Sequence, residues 1–256
     1  MQNRTLFFKK AIQFLCFYLT AGISFLPLHA QNYKTKYEVK GSCIAGTNLD
    51  RYNNRPLYIN NTDAFILTGD KPIARLVRKE YVYGTFMLAI ERNGKGKWLQ
   101  NCGKTTSFYD AGKMSWEISD EAFPGLKILL DILPMASKTG MAIRLKGEGI
   151  LPGDKLIWAF GGAQWRKDQN LSWKLDVMGQ PELLTWGFVP EECKNNSVEI
   201  KDKSYFVRLP DAKSTANTHF NVAGSCSSPT QVNMGEASGW NNAASFAKSK
   251  SLGLPL

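Results

Sequence analysis

From Arg55 onward the chain alternates short apolar runs with turn-forming clusters, and that rhythm predicts strands. Pro56–Ile59 and Ala64–Leu67 are apolar runs separated by Asn60-Asn61-Thr62-Asp63, and Gly69-Asp70-Lys71-Pro72 marks the next reversal. Tyr81–Arg92 alternates aromatic with small or β-branched residues, and Asn93-Gly94 then predicts a hairpin leading into Lys97–Gln100. Lys113–Ser119 places Met114, Trp116 and Ile118 on one face, a two-residue period. Leu126–Leu133 is almost continuously apolar and stops at Pro134, as a strand buried on both faces does. Gly140–Gly149 alternates Met141, Ile143 and Leu145, and Pro152-Gly153-Asp154 turns the chain into Lys155–Phe160. Ser197–Leu209 reads as a further hairpin around Lys201-Asp202-Lys203. Turn signals recurring roughly every 8–15 residues favour an antiparallel β-sandwich over alternating strands and helices, so the predicted class is all-β. Asn241–Lys250 is the one helix candidate.

The ends follow different rules. Arg4, Lys9 and Lys10 precede an apolar run from Ala11 to Leu26, and Ala30 stands before the polar Gln31. A basic n-region, an apolar h-region and a small residue make residues 1–30 a cleaved secretory signal peptide, too short to span a membrane. Export to the periplasm or cell exterior is therefore expected, with no membrane span after cleavage. Residues 31–54 are polar and irregular and read as an N-terminal arm. Residues 55–240 form the sandwich domain. Residues 241–256 end in the apolar Ser251-Leu252-Gly253-Leu254-Pro255-Leu256 and read as a linker or the truncated start of a following region.

Charge adds little to this picture. The formal net charge is +10, three of those positive charges belong to residues 1–30, and the remainder is dispersed with no block of like charges. Nucleic-acid binding needs a clustered basic patch, so it is excluded, while some affinity for acidic, uronate-rich glycans is retained. Beyond the leader, Cys43, Cys102, Cys193 and Cys226 remain. They allow two disulfides, with Cys193–Cys226 the favoured pair, or free buried thiols.

Candidate chemistry is sparse. His29 leaves with the leader and His219 stands alone in a Ser/Thr/Asn stretch, without a nucleophile motif. No compact His/Cys/carboxylate cluster suits a metal, and no phosphate or dinucleotide loop is present, so no cofactor is implied. Glycoside hydrolysis needs only two acids. The carboxylates considered are Glu117, Asp120, Glu121, Asp131, Asp176, Glu182, Glu191 and Glu192, of which Asp131, Asp176 and Glu182 are the best pairings for a hydrolase. Asp131 sits inside an apolar strand, where pairing with Lys127 or Arg144 is the plainer reading.

Trp158, Trp165, Trp173 and Trp186 crowd together with Phe160 and Phe188. Trp158 and Trp186 lie in apolar strands and read as core. Trp165 and Trp173 are flanked by polar residues, and sugar rings stack on indoles while amides and guanidinium groups bind hydroxyls. Gln164, Trp165, Arg166 and Trp173 are therefore the carbohydrate-contact candidates.

Arg51–Tyr58, the Thr68–Pro72 turn, Phe160–Arg166, Leu171-Ser172-Trp173-Lys174 and Gly179–Pro190 together resemble the domain of unknown function 4450 family, over about Arg51 to Trp240. This is the N-terminal domain of large exported Bacteroidetes proteins with a glycosidase-like helical-toroid region downstream. The resemblance implies a supersandwich-like β-sandwich that packs on that downstream catalytic domain. It supplies no catalytic residues. The chain is accordingly expected to be a noncatalytic exported module of a glycan-degrading protein. The alternatives are a hydrolase acting through its own carboxylate pair, and a structural remnant with no ligand.

Overall fold

The computed structural model describes residues 36–49, 55–59, 63–78, 81–161, 196–208, 221–226, 232–235 and 242–248. In chain order they form β1 (Tyr37–Lys40), β2 (Cys43–Thr47), β3 (Arg55–Tyr58), β4 (Ala64–Thr68) and β5 (Ala74–Arg78). Next come β6 (Tyr81–Arg92), β7 (Lys95–Trp98), β8 (Lys104–Asp110), β9 (Lys113–Ser119) and β10 (Lys127–Pro134). The series ends with β11 (Met141–Glu148), β12 (Lys155–Gly161), β13 (Ser197–Lys201), β14 (Ser204–Arg208), β15 (Asn221–Ser225) and a helix, α1 (Ala243–Lys248). The fold is all-β with antiparallel pairing, as the strand-and-turn rhythm predicts.

One sheet runs β1-β2-β8-β9-β10-β11, and a second runs β12-β6-β5-β4-β3. The twelve-residue β6 carries β5 along its first half and β7 along its second. The two sheets meet face to face. Met114, Trp116 and Ile118 of β9 and Ile128, Leu130 and Ile132 of β10 pack with Leu57, Ile66, Leu76, Phe86, Leu88 and Ile90 of the second sheet. Each such buried side chain contributes about 1.5–3 kcal/mol by leaving water. The smaller sheet β13-β14-β15 closes over β12. Val207 and Val222 join the same core, and Tyr205 stacks on Trp158 and Phe160 with ring centroids 5.6 Å apart in both cases. Trp158 thus takes the core role expected of it.

Because β6 is buried on both faces, its outward residues need a second cover. Met87 and Ala89 pack with Ile73, Trp98, Ala159 and Ala243, and Phe246 of α1 lies 5.7 Å from the Trp98 ring. The helix falls inside Asn241–Lys250, where the sequence places it. It also sits close enough to Gly96 that a Cβ there would be 2.5 Å from the Ala244 backbone nitrogen.

Several details depart from the sequence reading. Residues 31–54, expected to be irregular, contain β1 and β2. β8 was not anticipated either, because its core-facing positions are Thr105, Ser107 and Tyr109 rather than aliphatics. Lys97–Gln100 was expected as a strand, but pairing stops at Trp98 and Leu99–Asn101 turns into a 3-10 helix. Asn93 and Gly94 both have positive φ, 53° and 77°, as a tight two-residue hairpin requires.

Candidate functional site

The four carbohydrate-contact candidates, Gln164, Trp165, Arg166 and Trp173, lie outside the described residues, as do Trp186, Asp176, Glu182 and His219. What the structure supplies is the strand they follow. β12 ends at Gly161, in register with Thr85 of β6. Thr85 is buried and its hydroxyl accepts a hydrogen bond of 3.2 Å from Nε of the buried Arg75. On the opposite face of β12, Phe160 lies across Gly84 so closely that a Cβ at Gly84 would be 2.2 Å from the ring. Gly84 follows a bulge: Leu76 pairs with Gly84 and Val77 with Val82, so Tyr83 is the extra residue of β6 at that point. The end of β12 is thus packed over a glycine beside a bulge in β6.

Asp131, the hydrolase candidate within the described residues, lies on the outward face of β10. Arg144, its register partner on β11, holds it with Nη2 2.6 Å and Nε 2.8 Å from Oδ2. Burial works to raise its pKa, but the neighbouring Ser115 hydroxyl and the Arg144 guanidinium outweigh this and keep the carboxyl below its ordinary value. A group so held remains ionised and is poorly suited to donate a proton as a glycosidase acid must. Asp131 is the ion-paired strand aspartate that its apolar surroundings suggested.

The other buried carboxylates are similarly engaged. Asp120 accepts from Lys97 Nζ at 2.6 Å and from the backbone nitrogens of Gly103 and Ala122. Burial again opposes and those donors prevail, so its pKa is lowered. Asp154 receives Nε and Nη2 of Arg92, both at 2.7 Å, and the backbone nitrogen of Leu151. The Arg92 guanidinium is the main cause that holds Asp154 at about 2. Arg92 also donates to the carbonyls of Pro124 and Gly149, so one side chain gathers the β9–β10 and β11–β12 connections. Glu91 is buried and paired with Lys155 Nζ at 3.0 Å.

Sequence reasoning missed the densest polar cluster. Asp70, in the Thr68–Pro72 turn, is buried and accepts hydrogen bonds from the Tyr37 hydroxyl and, at 2.7 Å, from Ser107 Oγ. The Trp116 indole donates 3.1 Å to the neighbouring Gly69 carbonyl, and the Arg55 guanidinium lies 5.0 Å over the Tyr37 ring. This node joins β1, β8 and β9 of one sheet to the β4–β5 turn and β3 of the other. Burial first, and then Asp70, pushes the Tyr37 hydroxyl up to about 12. The available signal was a buried serine, Ser107, in register with a core tryptophan, Trp116. A hydroxyl at such a position implies a polar partner across the sandwich.

Among the described residues no group of three or more His, Cys, Asp or Glu side chains is placed to hold a metal ion. Among the described residues Cys43, Cys102 and Cys226 are free thiols, while Cys193, the other half of the favoured Cys193–Cys226 pair, lies outside them. Burial pushes the Cys102 thiol up to about 12, with the Asp120 charge adding to it, which makes it an inert core residue. No described helix is long and apolar enough to cross a membrane.

No curated protein and no solved structure matches the chain significantly. A family model matches residues 82–256. The Arg51–Tyr58 motif and the Thr68–Pro72 turn precede that match, whereas Phe160–Arg166, Leu171–Lys174 and Gly179–Pro190 fall within it. The chain belongs to the family described as Domain of unknown function (DUF4450).

Proposed function

We propose that this chain is a noncatalytic, exported β-sandwich module of a glycan-degrading protein, contacting carbohydrate through Gln164, Trp165, Arg166 and Trp173. The observation that carries the noncatalytic half is the state of the acids. Each described carboxylate with a resolved shift, Asp120, Asp131 and Asp154, is held below its ordinary pKa by a cation or by backbone donors. A general acid needs the reverse displacement. The binding half is supported by composition. Two indoles, an amide and a guanidinium follow the end of β12 in a segment rich in polar residues. Trp158 and Phe160, the aromatic residues on the strand itself, are already committed to the core. In this reading the partner is a helical-toroid catalytic domain in longer relatives, against which the sandwich packs.

Affinity electrophoresis of the full chain through gels containing a range of plant and microbial glycans tests the binding half. The wild type is expected to be retarded by at least one glycan, and Trp165→Ala to migrate freely with an unchanged melting temperature. Free migration of the wild type in every gel contradicts carbohydrate contact.

A further inference from the structure

The β13-β14-β15 sheet has two unlike faces. Tyr205 and Val207 of β14 and Val222 of β15 turn toward the core. Alternation therefore sends Phe206 and Arg208 outward. Phe206 is 40% exposed. Its register partners are Glu199 on one side and Ala223 on the other, so a small residue leaves one flank of the ring open. Two residues further along β14, about 7 Å away, is Arg208, which faces Asn221 across β15. Lys201 stands in register with Ser204, two residues to the other side of Phe206. The Arg208 guanidinium gives one hydrogen bond, 2.9 Å, to Glu199, with both side chains more than half exposed. A guanidinium has five N–H donors, so most of its donor capacity faces solvent.

An exposed aromatic plate lies between a lysine and an arginine, with a carboxylate and an amide beside it. A pyranose ring presents C–H bonds to such a plate and hydroxyls to its rim. A carboxyl group on that ring would find a cation in either direction along β14. We propose that this face is a subsite for a uronate-bearing sugar ring, stacked on Phe206, its carboxylate held by Arg208 or Lys201. The proposal rests on the glycan-binding reading above and adds a second contact surface and a substrate class to it.

The test is affinity electrophoresis of the full chain in gels containing polygalacturonate or the neutral glucan dextran. Wild type, Phe206→Ala, Arg208→Gln and Trp165→Ala are compared. The wild type should be retarded by polygalacturonate and not by dextran. Retardation should shrink as salt rises from about 0.1 M to about 1 M, because exposed charges are screened. Phe206→Ala and Arg208→Gln should each weaken binding about tenfold, which is roughly 1.4 kcal/mol, with unchanged melting temperatures. If the wild type is retarded and Phe206→Ala matches it while Trp165→Ala is released, this face is not the subsite and the glycan reading stands. If no glycan in the wider panel retards the wild type, the glycan reading fails and this proposal falls with it. Concentration-dependent dimers that Phe206→Ala abolishes would assign the face to a second copy of the chain and overturn the proposal.

Discussion

Asp70 shows how one buried carboxyl group, bonded to hydroxyls from the opposite sheet, can tie a sandwich together. It is 4% exposed, and Tyr37 and Ser107 reach it from strands of the opposite sheet. Asp70→Ala removes the Tyr37 hydroxyl's acceptor and leaves Ser107 only the longer bond to the Gly46 carbonyl, and should destabilise the fold by about 1–3 kcal/mol, read by urea unfolding. Tyr37→Phe removes one donor only and should cost less. Gly84 makes a second claim at the same scale. Its φ is +146°, and Phe160 occupies the space a side chain would need. Gly84→Ala should lose about 2–4 kcal/mol through backbone strain and overpacking. Adding Phe160→Leu should recover part of that loss; a pair of strictly additive losses would contradict the steric account. Neither residue was singled out as structural by the sequence, because the partner of each is distant along the chain. Trp158 and Asp131 were legible, since their own strands are apolar and imply a packed indole and a paired acid.

At the scale of elements, alternation located β3, β4, β6 and β9 to β14, where one face is aliphatic or aromatic. It missed β5 and β15, and also β1, β2 and β8, whose core-facing positions are filled by Tyr37, Gly46, Thr105 and Ser107. Those strands are held by polar contacts across the sandwich, which a hydrophobic pattern does not register. Loops carry the acid sensitivity. Asp154, held at about 2 against an ordinary 3.8, stabilises the folded state above the ordinary value and loses that contribution as pH falls toward 2. Thermal unfolding of the wild type should therefore weaken steeply between about pH 4 and about pH 2. Arg92→Gln should lower stability at neutral pH and flatten that limb. At the other extreme, Tyr37 and Cys102 are raised from 10.0 and 9.0 to about 12. Their contribution is complete below those ordinary values and disappears as pH climbs through 12, so Tyr37→Phe should blunt the alkaline loss. The short helix α1 is an element of a different kind, six residues held by Ala243, Ala244 and Phe246 against Trp98 and Gly96. Phe246→Ala should release it and speed amide exchange in β7 more than in β9 or β10.

For the molecule as a whole, fold class was written in the spacing of turns, whereas function was not written in any motif. A sandwich is specified by which positions are apolar, and that pattern is dense along the chain. A binding surface is specified by which side chains converge in space, and Gln164, Trp165, Arg166 and Trp173 are known as a group from their order along the chain. The acids illustrate the difference. Sequence favoured an ion pair for Asp131 while keeping it among the hydrolase candidates, and its register with Arg144 makes it half of an ion pair. The chain belongs to the DUF4450 family, and the binding and supporting role is the proposal to be tested. The most direct measurement is to incubate the full chain with a broad panel of glycans and follow both retained ligand and newly released reducing ends. Saturable binding without release, with Asp131→Asn indistinguishable from wild type in both readouts, is the predicted result. Release of reducing ends that Asp131→Asn abolishes while the protein stays folded would contradict it.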